Sequence, residues 1–113
     1  MFARMFSVLV IATLAGCATP NTHLVYRDKA GAPSMQVDYP NSGFCQQVAA
    51  IASGNAKCEG VSQAPSLGAV ATLHYDPPGL DVVAHYPDMQ SCERANSRMA
   101  VGVKLLKRCS TKS

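Results

Sequence analysis

One pattern occurs twice in this chain and constrains its fold more than any other feature. Tyr39-Pro40 is followed by Cys45, and Tyr86-Pro87 is followed by Cys92 at the same interval. In each copy the Tyr-Pro pair closes strand-like sequence, and the cysteine opens a segment with helical spacing. Repetition of so much of the chain indicates a duplicated unit.

The first copy begins with a predicted hairpin. Residues 34–39 strictly alternate apolar and polar side chains, and a second apolar run covers 23–27. Alternation is the pattern of a half-buried strand, and the loop between the runs contains Gly and Pro. Pro40 ends the second strand because it has no N–H for the ladder.

The second copy predicts a hairpin from residues 69–75 and 80–86. Pro78-Gly79 between them suits the centre of a type II turn. Closing the hairpin about these two residues places Leu73 opposite Ala84 and puts the apolar side chains on one face. The other face is polar, so we expect one face of the hairpin to be buried and the other to be exposed to solvent.

Each hairpin is followed by a predicted helix. The first runs from about Gly43 to Ser53, is capped by Asn41 or Ser42 and ends at Gly54. The second begins at Met89 or Gln90, and its apolar stripe extends toward the carboxyl terminus. The stripe residues are Cys92, Ala95, Met99, Val103 and Leu106.

These elements predict a single small α+β domain at residues 23–113. Its fold would be a two-layer sandwich of two β-hairpin–helix (ββα) units, stapled by disulfides. Repeat one spans 23–58, a connector spans 59–68 and repeat two spans 69–109.

The amino-terminal segment has a different character. Arg4 precedes an apolar stretch that ends in Leu14-Ala15-Gly16-Cys17, which resembles the lipobox of bacterial lipoprotein signal peptides. The resemblance implies that residues 1–16 are removed, that Cys17 carries lipid, and that 17–22 form a tether. Ala18, which is not Asp, favours the periplasmic face of the outer membrane over the inner membrane.

Four cysteines remain once Cys17 is assigned to lipid. An even number in an exported chain predicts two disulfides, for which three pairings are possible. A helix after the first cysteine and an extended return favour Cys45–Cys58, and duplication then favours Cys92–Cys109. A metal site is the competing interpretation, but these cysteines lack zinc-ligand spacing.

Basic residues concentrate near the carboxyl terminus. The only acidic residue among them is Glu93. Such a face is usually solvated, but it also suits contact with an acidic partner, anionic lipid headgroups or cell-wall polymer. We expect no nucleic-acid partner for an exported chain. The candidate partner contacts on this predicted basic helix are Arg94, Arg98, Lys104, Lys107 and Arg108.

Candidates for catalysis are few. The sequence contains no HExxH, GxSxG or Gly-rich phosphate motif, so we predict no catalytic residue, no cofactor and no bound metal. His74 and His85 share the solvent-exposed face of the second hairpin, near Asp76 and Asp81. We interpret the two histidines as solvated, and the alternative is a metal or proton-transfer site. The four tyrosines at matched repeat positions are assigned to the core.

The anchor and the lack of catalytic motifs favour a binding function. The expected protein is a small lipid-anchored accessory lipoprotein that contacts another protein of the bacterial envelope. One alternative is an inhibitor of an exported or host hydrolase, by analogy with lysozyme-inhibitor lipoproteins. A second is a metal or small-ligand carrier using His74 and His85.

Overall fold

A computed structural model describes residues 21–52, 54–76 and 78–112. The described chain forms six strands, two helices and one short 3₁₀ turn. In chain order these are β1 (His23–Arg27), β2 (Pro33–Asp38), α1 (Ser42–Ile51), β3 (Asn55–Glu59), the 3₁₀ turn (Ala64–Ser66), β4 (Ala69–Tyr75), β5 (Leu80–Tyr86), α2 (Met89–Asn96) and β6 (Val103–Thr111).

The six strands form one antiparallel sheet with the order β3-β1-β2-β5-β4-β6. The first half of the chain supplies three strands and the second half the other three, in mirrored order. The halves meet where β2 pairs with β5, and Val37 lies opposite Ala84 in that pairing. These two residues are equivalent in the repeated pattern, so the halves are related by an approximate two-fold axis through this pair.

The predicted fold class is wrong. The domain is mostly one antiparallel sheet with two short helices, not a two-layer sandwich of two ββα units. Each half adds a third strand after its helix, β3 or β6. The short extended return predicted before Cys58 is the strand β3, and the predicted helical stripe that reaches Leu106 runs into the strand β6.

One face of the sheet carries both helices and the main core. α1 packs against β1 and β3, and α2 packs against β4, β5 and β6. Apolar side chains that alternate along the strands meet the helices here, as the period-two pattern predicts. The core residues are Leu24, Val37, Tyr39, Cys45, Ala69, Ala71, Leu73, Val82, Ala84, Tyr86 and Cys92.

The two helices begin in the same way. The Asn41 side chain accepts a hydrogen bond from the Phe44 N–H at 2.7 Å, and the Asp88 side chain accepts one from the Ser91 N–H at 2.7 Å. Each cap satisfies an N–H that the first turn leaves unpaired. The caps lie 47 positions apart, as do the Tyr-Pro pairs.

The second helix is shorter than predicted. It ends at Asn96, and the chain becomes a strand at Val103. Gly102 has φ +91°, which a helix does not allow, and its carbonyl accepts the Asp76 N–H at 2.7 Å. The apolar residues assigned to a helical stripe therefore continue on β6, where Val103 pairs with Tyr75.

The second hairpin closes two residues tighter than predicted. Leu73 lies opposite Val82 and Tyr75 opposite Leu80, so every pair is shifted while the faces are unchanged. The Gly79 N–H bonds to the Tyr75 carbonyl at 2.8 Å, and this bond brings Leu80 directly beside Tyr75. A two-residue shift preserves the faces because side chains alternate with period two.

The face of the sheet without helices is not uniformly exposed to solvent, contrary to the prediction of a solvated polar face. The connector between the halves crosses it, and the Gln63 N–H donates to the Gln36 side-chain oxygen at 2.7 Å. Gln36 and Val25 are 0% exposed, and Leu67 of the connector is 1% exposed. The connector thus covers the centre of this face.

Two disulfides are present, as predicted. Cys45 bonds to Cys58 and Cys92 to Cys109, with Cα–Cα distances of 6.1 and 6.0 Å. Each ties a helix to the third strand of its own half. These are the pairs that the chain geometry favours in the sequence.

Candidate functional site

The predicted basic residues do not lie on one helix. Arg94 is in α2 and Arg98 follows its end, whereas Lys104, Lys107 and Arg108 belong to the edge strand β6. The expectation of a basic helix face is therefore wrong. The cations instead lie on the surface formed by α2, the residues that follow it and β6, which we name the seam.

The strand divides this set between the two faces of the sheet. Lys104 pairs with His74, and Lys107 with Thr72, on the face without helices. Arg94, Arg98 and Arg108 line clefts on the helix-bearing face. A cleft with two arginines, a cleft with one arginine and two lysines on the opposite face of the sheet replace the predicted continuous stripe.

None of these five cations forms a salt bridge within residues 21–52, 54–76 and 78–112. The acidic side chains that form salt bridges there pair with other residues. Glu59, for example, accepts a bidentate hydrogen bond from Arg27. All five are exposed. Their charge is thus available to a binding partner, and arginine suits planar carboxylate or phosphate groups.

The first cleft, which we name the junction cleft, lies where the two halves meet. It has a volume of about 370 Å³. Side chains of β1, β2 and β5 form its floor, and α2 forms one wall. Its lining residues are Tyr26, Ser34, Met35, Tyr86, Ser91, Arg94, Ala95 and Arg98.

The second cleft, the edge cleft, lies between α2 and β6 and has a volume of about 360 Å³. Leu105 and Cys109 give it an apolar side, while Glu93 and Arg108 contribute opposite charges. Asn96 also lines it and donates to the Cys109 sulfur at 3.0 Å. A carboxylate in its own lining makes this cleft less suited to anions than the junction cleft.

A polar cluster that the sequence did not reveal lies beneath the connector. Asp38 on β2 accepts hydrogen bonds from His23 on β1 at 2.7 Å and from His85 on β5 at 2.8 Å. Gln36 donates to the same carboxylate at 2.7 Å and to Ser62 at 3.0 Å. No short motif predicts this cluster, because strand pairing assembles it from 23, 38 and 85.

Asp38 is held as a carboxylate. Partial burial raises its pKa, but the hydrogen bonds from His85, His23 and Gln36 outweigh burial and lower the pKa to about 2. The 8% exposed His85 uses Nε2 for this contact, and its Nδ1 has no partner in the described chain. Ser62 of the connector accepts a hydrogen bond from Gln36, so the cluster acts as a polar clamp between strands and connector.

His74 and His85 are not part of one site. His74 contacts Asp81 at 2.6 Å, while His85 lies opposite Val70, four residues earlier on β4, and contacts Asp38. Asp76 lies in the turn after β4 and forms no salt bridge with either histidine in the described part of the chain. Within the described ranges no group of three His, Cys, Asp or Glu residues could hold a metal ion.

The tyrosines converge on the helix-bearing face. Burial, and next the neighbouring Tyr75, raise the pKa of Tyr86 to about 12 and also raise the pKa of Tyr26 and Tyr39. Their hydroxyls therefore stay protonated at neutral pH. Tyr26 and Tyr86 additionally form part of the junction-cleft floor.

The candidate lipid attachment site, Cys17, lies outside the described residues. Among the residues that are described, no helix has both the length and the apolar character to cross a membrane. No family model, curated protein or solved structure matches this chain.

Proposed function

We propose that this chain is a lipid-anchored accessory protein of the bacterial envelope that binds another protein through the cation-rich seam of α2 and β6. One observation carries the proposal: the five exposed cations form no salt bridge in the described chain, and three of them, Arg94, Arg98 and Arg108, line two clefts. Cations that stabilised this domain itself would be expected to face acidic side chains, as Arg27 does.

The lipobox-like segment supports a membrane anchor. Replacing Cys17 by Ser is expected to abolish fatty-acid labelling and release the protein from membranes, because no other cysteine is free to be acylated. Ala18→Asp is expected to keep the label and move the protein to the inner membrane on a density gradient. Labelling of the Cys17→Ser variant would contradict the anchor.

Partner binding is tested by cross-linking the anchored full-length protein in living cells. Three double charge reversals change the net charge equally: Arg94→Glu/Arg98→Glu, Lys104→Glu/Lys107→Glu, and the control Lys29→Glu/Lys57→Glu. The control residues are exposed, belong to the first half of the chain and line neither cleft. We expect a loss of capture for at least one seam variant and none for the control.

Two outcomes would contradict the proposal. Equal capture of an envelope protein by wild type and both seam variants would show that these cations do not contribute to partner binding. Capture of added hydrolases alone would instead favour the inhibitor function. A carrier that uses His74 and His85 together is not proposed, because each histidine contacts a different aspartate.

A further inference from the structure

The approximate two-fold symmetry predicts similar side chains at equivalent positions of the two halves, but the halves differ along the wall of the junction cleft. The 47-residue offset that relates Asn41 to Asp88 also relates the wall of the junction cleft to residues of α1. In the first half this wall is apolar or neutral, and in the second it is polar and cationic. The equivalent pairs are Phe44 and Ser91, Gln47 and Arg94, Val48 and Ala95, and Ile51 and Arg98.

The difference at Phe44 and Ser91 explains why the junction cleft is open. Phe44 stacks on Tyr39 with ring centroids 5.6 Å apart and an interplanar angle of 22°. Tyr86 is the equivalent of Tyr39, but a serine stands where its stacking ring would be. The cleft therefore has an aromatic floor that lacks the ring present in the other half.

The rim of the cleft adds charge to this recess. Arg94 and Arg98 lie four positions apart, and no acidic residue lines the cleft. Arg94 lies on α2 and Arg98 just after its end, and both line the cleft, so both side chains border the same opening. Arginine pairs carboxylates through two parallel hydrogen bonds, and Tyr86 and Met35 offer an apolar surface for a ring.

We propose that the junction cleft binds a protein segment that presents an aromatic side chain close to an Asp or Glu. The ring occupies the place that Phe44 fills in the first half, and the carboxylate pairs with Arg94 and Arg98. This inference rests on the proposed function, because it names the chemistry of the partner. It goes further by assigning the contact to this cleft and not to β6.

The test places an aliphatic diazirine amino acid at Ala95, which lines the cleft and is exposed. Matched probes are placed at Ile51, the equivalent of Arg98 and 85% exposed, and at Leu106 on β6, 51% exposed. The full-length anchored protein is irradiated in cells, and mass spectrometry sequences the attachment site on the partner. We expect adducts at 95, with an aromatic and an acidic residue within a few positions of the attachment site, and none at 51.

Two variants test the two parts of the recognition. Ser91→Phe fills the recess with the residue found at the equivalent position of the first half. Arg94→Gln/Arg98→Ile removes the charge and likewise introduces the residues of the equivalent positions, Gln47 and Ile51. Each is expected to lower the adduct yield at 95 by about tenfold or more, typical of losing a central aromatic or arginine contact. Gln47→Arg/Ile51→Arg, which adds the same charges to the other half, is expected to leave the yield unchanged.

The outcomes separate this inference from the proposed function. Adducts at 106 but not at 95 would overturn the cleft assignment while supporting a protein partner at the seam. Adducts at 95 with phospholipid, or with peptide lacking an acidic or an aromatic neighbour, would overturn the chemistry proposed here. Absence of protein adducts at both 95 and 106 would overturn both proposals.

Discussion

Val37 and Ala84 lie opposite each other on β2 and β5, and each is the equivalent of the other in the repeated pattern. Both are almost completely buried. A residue that pairs with its own equivalent must lie on the symmetry axis, so this pair marks where two similar halves join into one sheet. The junction consists of three residue pairs, which makes packing at its centre important for the whole domain.

The pair offers a test of this symmetry. Val37→Ala should cost about 1–2 kcal/mol because it leaves a cavity, and Ala84→Val about 1–3 kcal/mol because it overfills a packed site. The double exchange restores the total volume, so urea denaturation should show a cost smaller than the sum by at least about 0.5 kcal/mol. Val37→Ala combined with Ala71→Val, on strands that are not neighbours, should be additive; additive costs for the exchange itself would contradict the prediction.

Gly54 and Gly102 occupy equivalent places between helix and third strand, with φ of +87° and +91°. A Cβ at Gly102 would lie 2.6 Å from the Asp76 carbonyl oxygen, whereas nothing lies within 4 Å of one at Gly54. Gly54→Ala should therefore cost about 1 kcal/mol from backbone strain alone, and Gly102→Ala at least about 2 kcal/mol because the backbone must also move. Equal melting temperatures for the two variants would refute this difference.

Asp38 should make the domain sensitive to acid. Its folded pKa of about 2 lies below the value of about 3.9 for an unfolded aspartate. The stabilisation is therefore complete above about pH 5 and is lost as the pH falls toward 2. Asp38→Asn should lower the free energy of unfolding by about 1–3 kcal/mol at pH 7 and flatten its decline between pH 5 and 2.

A second aspartate–histidine pair provides the control for that measurement. Asp81 contacts His74 on the same face, but its side chain is 63% exposed. Exposed pairs contribute between about 0 and 1 kcal/mol, so Asp81→Asn should change stability little at any pH. If both substitutions had the same effect, the polar clamp around Asp38 would not be the cause.

The two disulfides should contribute about equally. They close separations of 13 and 17 residues, and loops of this length are worth about 3 kcal/mol each in restricting the unfolded chain. Replacing Cys45 and Cys58 by Ala, or Cys92 and Cys109 by Ala, should each lower the free energy of unfolding by that amount. An intact stability without either bond would contradict this expectation.

Peptide mapping under non-reducing conditions tests the pairing directly. Trypsin leaves Cys58 and Cys92 in one peptide, because no Lys or Arg lies between residues 58 and 93. A second cut before the aspartates in the 76–88 region separates them. A peptide that joins Cys45 to Cys92 or Cys109 would then rule out the observed connectivity.

Local features were predictable because they depend on neighbouring residues. Alternation located β4 and β5, capping chemistry located the start of α1, and the count of cysteines predicted two disulfides. The same local reasoning failed after Asn96. Apolar residues from Met99 to Leu106 fit a helical stripe equally well, but the helix ends at Asn96, and Gly102 with its positive φ stands directly before β6.

Of the candidate site, the cation-rich segment and the duplicated pattern were predictable, since both are matters of residue type and spacing. Three further features appear only in the folded chain: β6 separates the lysines from the arginines, His23 and His85 meet on Asp38, and Ser91 leaves a recess beside Tyr86. Each of these depends on which strands become neighbours in the sheet. That choice is made by burial of the whole apolar face and cannot be read from any one segment.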